Sequence, residues 1–289
     1  MAEFRAMNTD VSIFGGTLDV EPWFREVEAT LSRFLPSSPL SQMNNNSGGW
    51  TAVPALLLQA LQLALEAAAA TGGAFDPTVL NGVEAAGYRR SFELGAEPPR
   101  APAPAGRWRE IQLVPAASAV YLPRGVRIDL GGLGKGLAVD EAVRRLAPTA
   151  SDGEAVFVNA GGDIGVYARP GAPAVIIDVA DPFETDRTLG SFSLQKGGAA
   201  TSSILGRRWG EHLHHIIDPT SGRPAETGIV AATVVADRTV WADVLAKSMI
   251  VLGEQRGLAL LAEQGCEGLL VRADRSFVAT PGMEAHFHP

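Results

Sequence analysis

Apolar positions along the chain change period several times, and each change marks an element. Residues 9–14 alternate polar and apolar side chains, as a half-buried strand does. Val20, Trp23, Phe24, Val27, Leu31 and Phe34 then recur at helical spacing, which predicts an amphipathic helix ending near Pro36. Residues 40–50 hold three asparagines and two glycines and read as a loop. A second helix is expected over 54–71, with Pro54 at its start and Gly72 as its stop. Residues 90–106 carry Pro98, Pro99, Pro102 and Pro104 and read as a surface excursion.

Strand-like runs follow at 111–114, 119–122 and 126–128, before a helix over 135–146. Residues 155–158, 174–179 and 233–236 have strand patterns, and helices are expected over 241–252 and 255–264. A closing strand pair falls at 268–271 and 276–279. Strands and helices mix without strict βαβ alternation, which favours an α+β fold over a doubly wound sheet.

Composition narrows the class. The 289 residues are 46% hydrophobic and 19% charged, the balance of a globular chain. A net charge of −8 offers no basic excess for phosphate neutralisation, so nucleic acid is not an expected partner. A single cysteine, Cys266, excludes an internal disulfide and a cysteine zinc cluster. No apolar run is long enough for a membrane span, and residues 1–7 lack the apolar core of a signal peptide; a cytoplasmic location is the expectation.

Two glycine-rich loops invite a nucleotide reading. In residues 129–136 the Gly134-Lys135 pair suggests a P-loop, but Asp129 stands where the first glycine belongs and Gly136 where Ser or Thr belongs. Such a loop still leads backbone N–H groups into a helix start, where phosphate is favoured; Lys135 is either a point charge there or a solvated lysine. Residues 159–165 lack the first glycine of a dinucleotide fingerprint, and strand and turn, rather than helix, follow; this is a ligand-facing turn or bulge.

Three further places carry chemistry. Gly72 to Thr78 puts an aromatic, a carboxylate and a hydroxyl on a rigid turn, or is an ordinary helix cap followed by an Asp-Pro turn. Asp243 and Lys247 lie four apart on one helix face, and as a surface ion pair would contribute about 0.3–0.5 kcal/mol. The densest stretch is 214–224: His214 and His215 end an apolar run, and the Asp218-Pro219-Thr220-Ser221-Gly222 turn follows. It sets an imidazole beside a carboxylate, the groups of acid–base work. His212 and His214 have strand spacing suited to a metal, but no third ligand accompanies them.

Together these loops resemble the ApbE family, flavin transferases that use FAD to attach FMN to a protein threonine or serine. The resemblance runs through "MNTDVSI", "SRFLPSSPLSQMN", "GGAFDPT", "IDLGGLGKGLAVD", "VNAGGDI", "ATSS", "HHIIDPTSGRP" and "ADVLAKSMIVLG", in the family order. It implies one α+β domain over 1–289, T-fold-like, with mixed sheets and packed helices. It implies flavin contacts at Met7 and Phe34, and an adenosine-side turn at Ala74, Phe75 and Asp76. Asp129 and Lys135 would lie beside the FAD diphosphate, Thr201 and Ser202 would line the pocket, and Ile217 would pack on the ligand. The Gly132 carbonyl and Asp243 would bind Mg²⁺, a cation that prefers hard oxygen ligands.

Two positions depart from the family pattern. Lys247 stands where a metal-holding threonine is usual, and a protonated lysine has donors but no lone pair. Its ammonium either meets the diphosphate in place of the metal or pairs with Asp243. Pro39 replaces a usual glutamate. The activity implied is transfer of FMN from FAD to an acceptor-protein hydroxyl with release of AMP, with His215 or Asp218 as the base. The alternatives are FAD pyrophosphatase activity, with water as acceptor, and FAD binding without turnover.

Overall fold

The alternating Thr9–Phe14 segment is one strand of an eight-stranded sheet in the computed structural model, which describes residues 1–184, 186–210 and 212–288. Two units divide the chain: Met1–Phe24, Lys135–Gly206 and Glu226–Pro289 form the first, and Arg25–Gly134 with Arg207–Ala225 the second. The proline-rich 90–106 stretch lies inside the second, away from every division point. Among the described residues, no helix is long and apolar enough to cross a membrane.

In the first unit the sheet runs Ala2–Ala6, Thr9–Phe14, Ala155–Ala160, Asp163–Ala168, Lys196–Ser203, Ile229–Ala236, Glu267–Arg272, Phe277–Ala279. Every neighbouring pair is antiparallel, as the α+β expectation requires. Ile229–Ala236 is buried along most of its length, the mark of an inner strand with both faces covered. Val166, Phe192, Ala199, Ala231, Leu269 and Val271 share a core there with residues of the Val175–Ala180 and Thr188–Leu194 hairpin. Two sheet strands escape the sequence pattern. Ala2–Ala6 is mostly exposed, and Gly197-Gly198 interrupts the apolar signal of Lys196–Ser203.

The Thr239–Leu252 helix packs on the Lys196–Ser203 and Ile229–Ala236 strands. Glycines let the strand and the Gly134–Leu146 helix come close to its first turn: a Cβ on Gly198 of the strand would fall 2.3 Å from the Thr239 Cα, and one on Gly136 of that helix 2.6 Å from the Val240 Cα. Arg238 makes no side-chain cap for this helix. Asp140, from the Gly134–Leu146 helix, does so instead, accepting the Thr239 N–H at 2.6 Å and the Val240 N–H at 3.3 Å. Asp140→Ala is expected to cost about 0.5–2 kcal/mol, the usual loss of a helix cap, read as a lower urea midpoint. An unchanged midpoint would refute the cap.

In the second unit, Ala119–Tyr121 is the central strand between Trp50–Ala52 and Gln112–Val114. The Ala55–Ala70 helix keeps to the expected limits, with Pro54 before it and Thr71 closing it. Residues 40–50, expected as loop, instead contain the Pro39–Asn45 helix. Ser38 caps it by accepting the Ser41 N–H at 3.0 Å, Pro39 suits the first turn, and Leu40 and Met43 are fully buried on one face. Residues 126–128, expected as strand, pair with no strand among the described residues. The Ile128 backbone is instead satisfied by the Asn44 side chain, whose Nδ2 donates to the Ile128 carbonyl (2.8 Å) and whose Oδ1 accepts the Ile128 N–H (2.7 Å). The proline-rich excursion is exposed yet pinned. The Arg100 N–H donates to the Ala85 carbonyl (2.7 Å) and the Ala105 N–H to the Pro219 carbonyl (2.8 Å).

Candidate functional site

Within the first unit, four charged side chains gather. The strands Ala155–Ala160 and Asp163–Ala168 are joined by Gly161-Gly162, whose φ angles of 64° and 92° suit a two-residue hairpin turn. The expected ligand-facing turn at 159–165 is thus a β-hairpin. Asp163 follows it, buried, and forms an ion pair with Lys135. On the Thr239–Leu252 helix, Asp243 pairs with Lys247 one turn on. Their side chains are only 1% and 18% exposed, so this is no surface pair. Asp243 Oδ1 takes the Lys247 ammonium, while Oδ2 is buried with no hydrogen-bond partner among the described residues. Burial, reinforced by the Asp243 charge, pushes the Asp163 carboxyl above the ordinary carboxylate range, while Lys135 and Lys247 pull it back. All four groups therefore share one electrostatic environment.

Nearby in the same sheet, Thr201 and Thr233 face each other across the ladder, their hydroxyls 2.9 Å apart, and Ser202 is buried. Met7 occupies the turn between the first two strands at φ 54°, beside Asn8 at φ 56°, an unusual left-handed pair without glycine.

The second unit assembles an arginine, aromatic rings and a carboxylate. Arg33 Nε lies 3.0 Å from Asp129 Oδ2, with side chains 6% and 14% exposed. Its guanidinium carbon sits 4.1 Å from the Phe34 ring centre and 4.6 Å from that of Tyr88, and Nη2 donates to the Tyr88 carbonyl at 2.9 Å. Tyr88 continues to Trp209 at 5.4 Å, and Ile217 is buried in the same cluster. Asp129 Oδ1 accepts the Gly131 N–H at 2.7 Å and so sets the start of the glycine loop that includes Gly132. None of Arg33, Tyr88, Trp209 or Asp163 stands out by spacing. Arg33 and Asp163 lie inside the quoted motifs, which is the one local signal for them.

The Gly72 to Thr78 turn has Phe75 buried and Ala74 half-buried. Its carboxylate is engaged by the protein itself. Asp76 Oδ1 accepts the Thr78 N–H and hydroxyl, both at 2.7 Å, and Oδ2 accepts the Gly106 N–H at 2.7 Å. Asp76 caps the Pro77–Val79 turn and holds the end of the proline-rich segment.

The two histidines differ sharply. His214 is buried, with Nε2 3.1 Å from the Ala225 carbonyl and Nδ1 accepting the Ile216 N–H at 3.3 Å. Those partners fix a neutral Nε2–H tautomer, a structural role. His215 is half-buried, and its Nδ1 faces the Arg207 carbonyl at 3.4 Å. A carbonyl calls for a donor, so Nδ1 carries a proton, and in the neutral ring the lone pair is then on Nε2. Asp218 holds the turn after it, accepting the Thr220 N–H at 3.0 Å and the Ser221 N–H at 3.3 Å. Gly222 has φ 66°, and a Cβ there would meet the Ala103 carbonyl carbon at 2.3 Å, so the turn closes only with glycine.

The described residues contain no group of three His, Cys, Asp or Glu side chains able to hold a metal. Asp243 could give one oxygen, but Lys247 occupies the other and repels a cation. The residues present in this unit do not fit a Mg²⁺ site.

Residues 7–270 match the sequence model of the ApbE family. Among curated relatives, the FAD:protein FMN transferase of Rhodobacter capsulatus is 30% identical over 239 residues, spanning 79% of this chain and 45% of its own length. This chain therefore spans under half of that relative. The FAD:protein FMN transferase of Treponema pallidum is 30% identical over 284 residues, covering 90% of this chain and 77% of the relative. Among solved structures, the ApbE protein of Thermotoga maritima superposes with a TM-score of 0.87 at 22% identity, over 100% of this chain and 99% of that one. The flavin transferase ApbE of Vibrio cholerae gives 0.80 at 23% identity, over 99% and 98%. At such identities these structures show a common fold.

Proposed function

The chain belongs to the ApbE family, and from that premise we propose that it is an FAD:protein FMN transferase, moving FMN from FAD to a threonine or serine hydroxyl of an acceptor protein and releasing AMP. The observation that carries this reading is the family match over 7–270, which also supports treating the chain as one functional domain.

The reaction is a phosphoryl transfer. The acceptor hydroxyl oxygen bonds to the FMN-side phosphorus, the bond from that phosphorus to the bridging oxygen breaks, and AMP leaves with that oxygen. The hydroxyl proton goes to His215 Nε2, the nitrogen left with a lone pair by the Arg207 carbonyl. Asp218 is better suited to positioning than to proton transfer, because both its oxygens already accept turn N–H groups. Phe34 and Met7 offer an aromatic face and a soft thioether to the isoalloxazine ring. Asp129 and Lys135 serve the diphosphate, and the Gly132 loop lets backbone approach it closely. Thr201 and Ser202 supply hydroxyls to the ligand, Ile217 supplies apolar contact, and Ala74 and Phe75 flank the adenosine. Asp76 acts by holding its turn. No step is assigned to Mg²⁺.

The test is incubation with FAD and an acceptor peptide carrying an Asp-Gly-x-x-Ser/Thr-Gly-Ala-Thr motif. Flavin fluorescence on the acceptor in a denaturing gel is the expected result. AMP and FMN appearing with an unlabelled acceptor would make the protein an FAD pyrophosphatase, and FAD retained without turnover would make it a binder.

A further inference from the structure

We infer that the Lys247 ammonium takes the place of a divalent cation in this chain, so that FAD is bound and its diphosphate polarised without metal. The inference rests on the FAD reading above and deepens it. Three features carry it. First, Lys247 lies on the same face of the Thr239–Leu252 helix as Asp243, one turn along, and its Nζ bonds Asp243 Oδ1. The carboxylate that would anchor a cation is already neutralised by one built into the chain, held by a backbone helix rather than drawn from solution.

Second, the surrounding charges close on themselves. Asp163 and Asp243 are both buried, Lys135 answers the first and Lys247 the second, and the four sum to zero. Before FAD binds, a divalent ion added to this quartet would leave two positive charges in excess among buried groups, beside an ammonium that cannot ligate it. Third, Asp243 Oδ2 is buried and unpartnered. Its charge is matched, yet it keeps an acceptor for a hydroxyl of the ligand or for a bound water. The ammonium has three N–H donors and Asp243 takes one, so the others can reach phosphate oxygens. A lysine acts on phosphate as a point charge, which is the part of a metal's work that needs no ligand geometry.

The experiment uses the full chain, passed over a chelating resin and assayed with EDTA or with excess MgCl₂. FAD binding is read by equilibrium dialysis, and flavin transfer by fluorescence on the acceptor peptide. Wild-type binding and transfer are expected to be the same in both media. Lys247→Thr, which supplies a hydroxyl and removes the ammonium, is expected to bind FAD about ten- to 150-fold more weakly in EDTA, the loss of one charge-assisted contact, and to recover with Mg²⁺. Lys247→Met, with neither group, is expected to stay weak in both. Wild-type protein that binds FAD only with Mg²⁺ would overturn the inference, as would a Lys247→Thr variant that binds FAD in EDTA as tightly as wild type. The wild-type comparison needs no variant, so a poorly folding substitution leaves the test intact. Metal-independent FAD binding without flavin transfer would sink the transferase reading and keep this one. Transfer that requires Mg²⁺ would do the reverse.

Discussion

Replacing His215 with alanine is expected to slow flavin transfer about 10²–10⁴-fold, the usual contribution of a single general base. The loss should fall on kcat, with the KM for FAD little changed, because the proposed role is proton removal from the acceptor and not a grip on FAD. The pH profile sharpens the test. A neutral imidazole is the active form, so wild-type transfer should be lost at acid pH, where the ring is protonated. The alanine variant should lose that acidic limb. His215→Asn keeps a donor for the Arg207 carbonyl but has no basic nitrogen, and should fail as the alanine variant does. Asp218→Asn keeps one acceptor for the Thr220 and Ser221 N–H groups, so a much smaller loss is expected. Full transfer by His215→Ala would remove histidine from the chemistry. An equal or larger loss in Asp218→Asn would move the base to the carboxylate.

The contrast between neighbouring histidines shows where sequence reading stops. The 214–224 turn is legible from Pro219, Gly222 and Asp218, but nothing local separates His214 from His215. Burial does so: His214 has both ring nitrogens engaged by backbone, and His215 is only half-buried. Elements follow the same division. Ala55–Ala70 is legible because a long apolar run is bracketed by Pro54 and Gly72, and Thr9–Phe14 because one of its faces is buried. Pro39–Asn45 is not, since two buried apolar residues in seven make too short a period. Besides the local Ser38 cap, it is tied down by Asn44 bonding to Ile128, 84 residues away. The site shows the same limit. The spacing of Asp243 and Lys247 declares a pair, but only the packing of the helix on the sheet makes it a buried one. The pairing of residues far apart in the chain, such as Lys135 with Asp163 or Arg33 with Asp129, has no local signature even where the motifs include the residues themselves.

Arg33 is the residue of this kind with the largest expected effect on stability. Arg33→Ala would leave the Asp129 carboxylate, 14% exposed, without its counter-charge. Removing one partner of a buried pair costs about 3–5 kcal/mol, and the remaining exposure of Asp129 favours the lower end. Loss of the guanidinium from beside the Phe34 and Tyr88 rings adds about 0.5–1 kcal/mol per contact. Arg33→Lys keeps the charge but not the fork. A lysine cannot meet Asp129 Oδ2 and the Tyr88 carbonyl in the directions the guanidinium does, so an intermediate loss is expected. The decisive variant is the double, Arg33→Met with Asp129→Asn. It buries no unpaired charge, and the asparagine still accepts the Gly131 N–H. Its urea midpoint should therefore lie above that of Arg33→Met alone, with a coupling of about 0.5–3 kcal/mol in the cycle closed by Arg33→Met and Asp129→Asn. Strictly additive losses would mean that the pair is not the source of the stability. If coupling is found, Arg33 stabilises the fold by pairing with Asp129, the carboxylate that also accepts the Gly131 N–H at the start of the glycine loop.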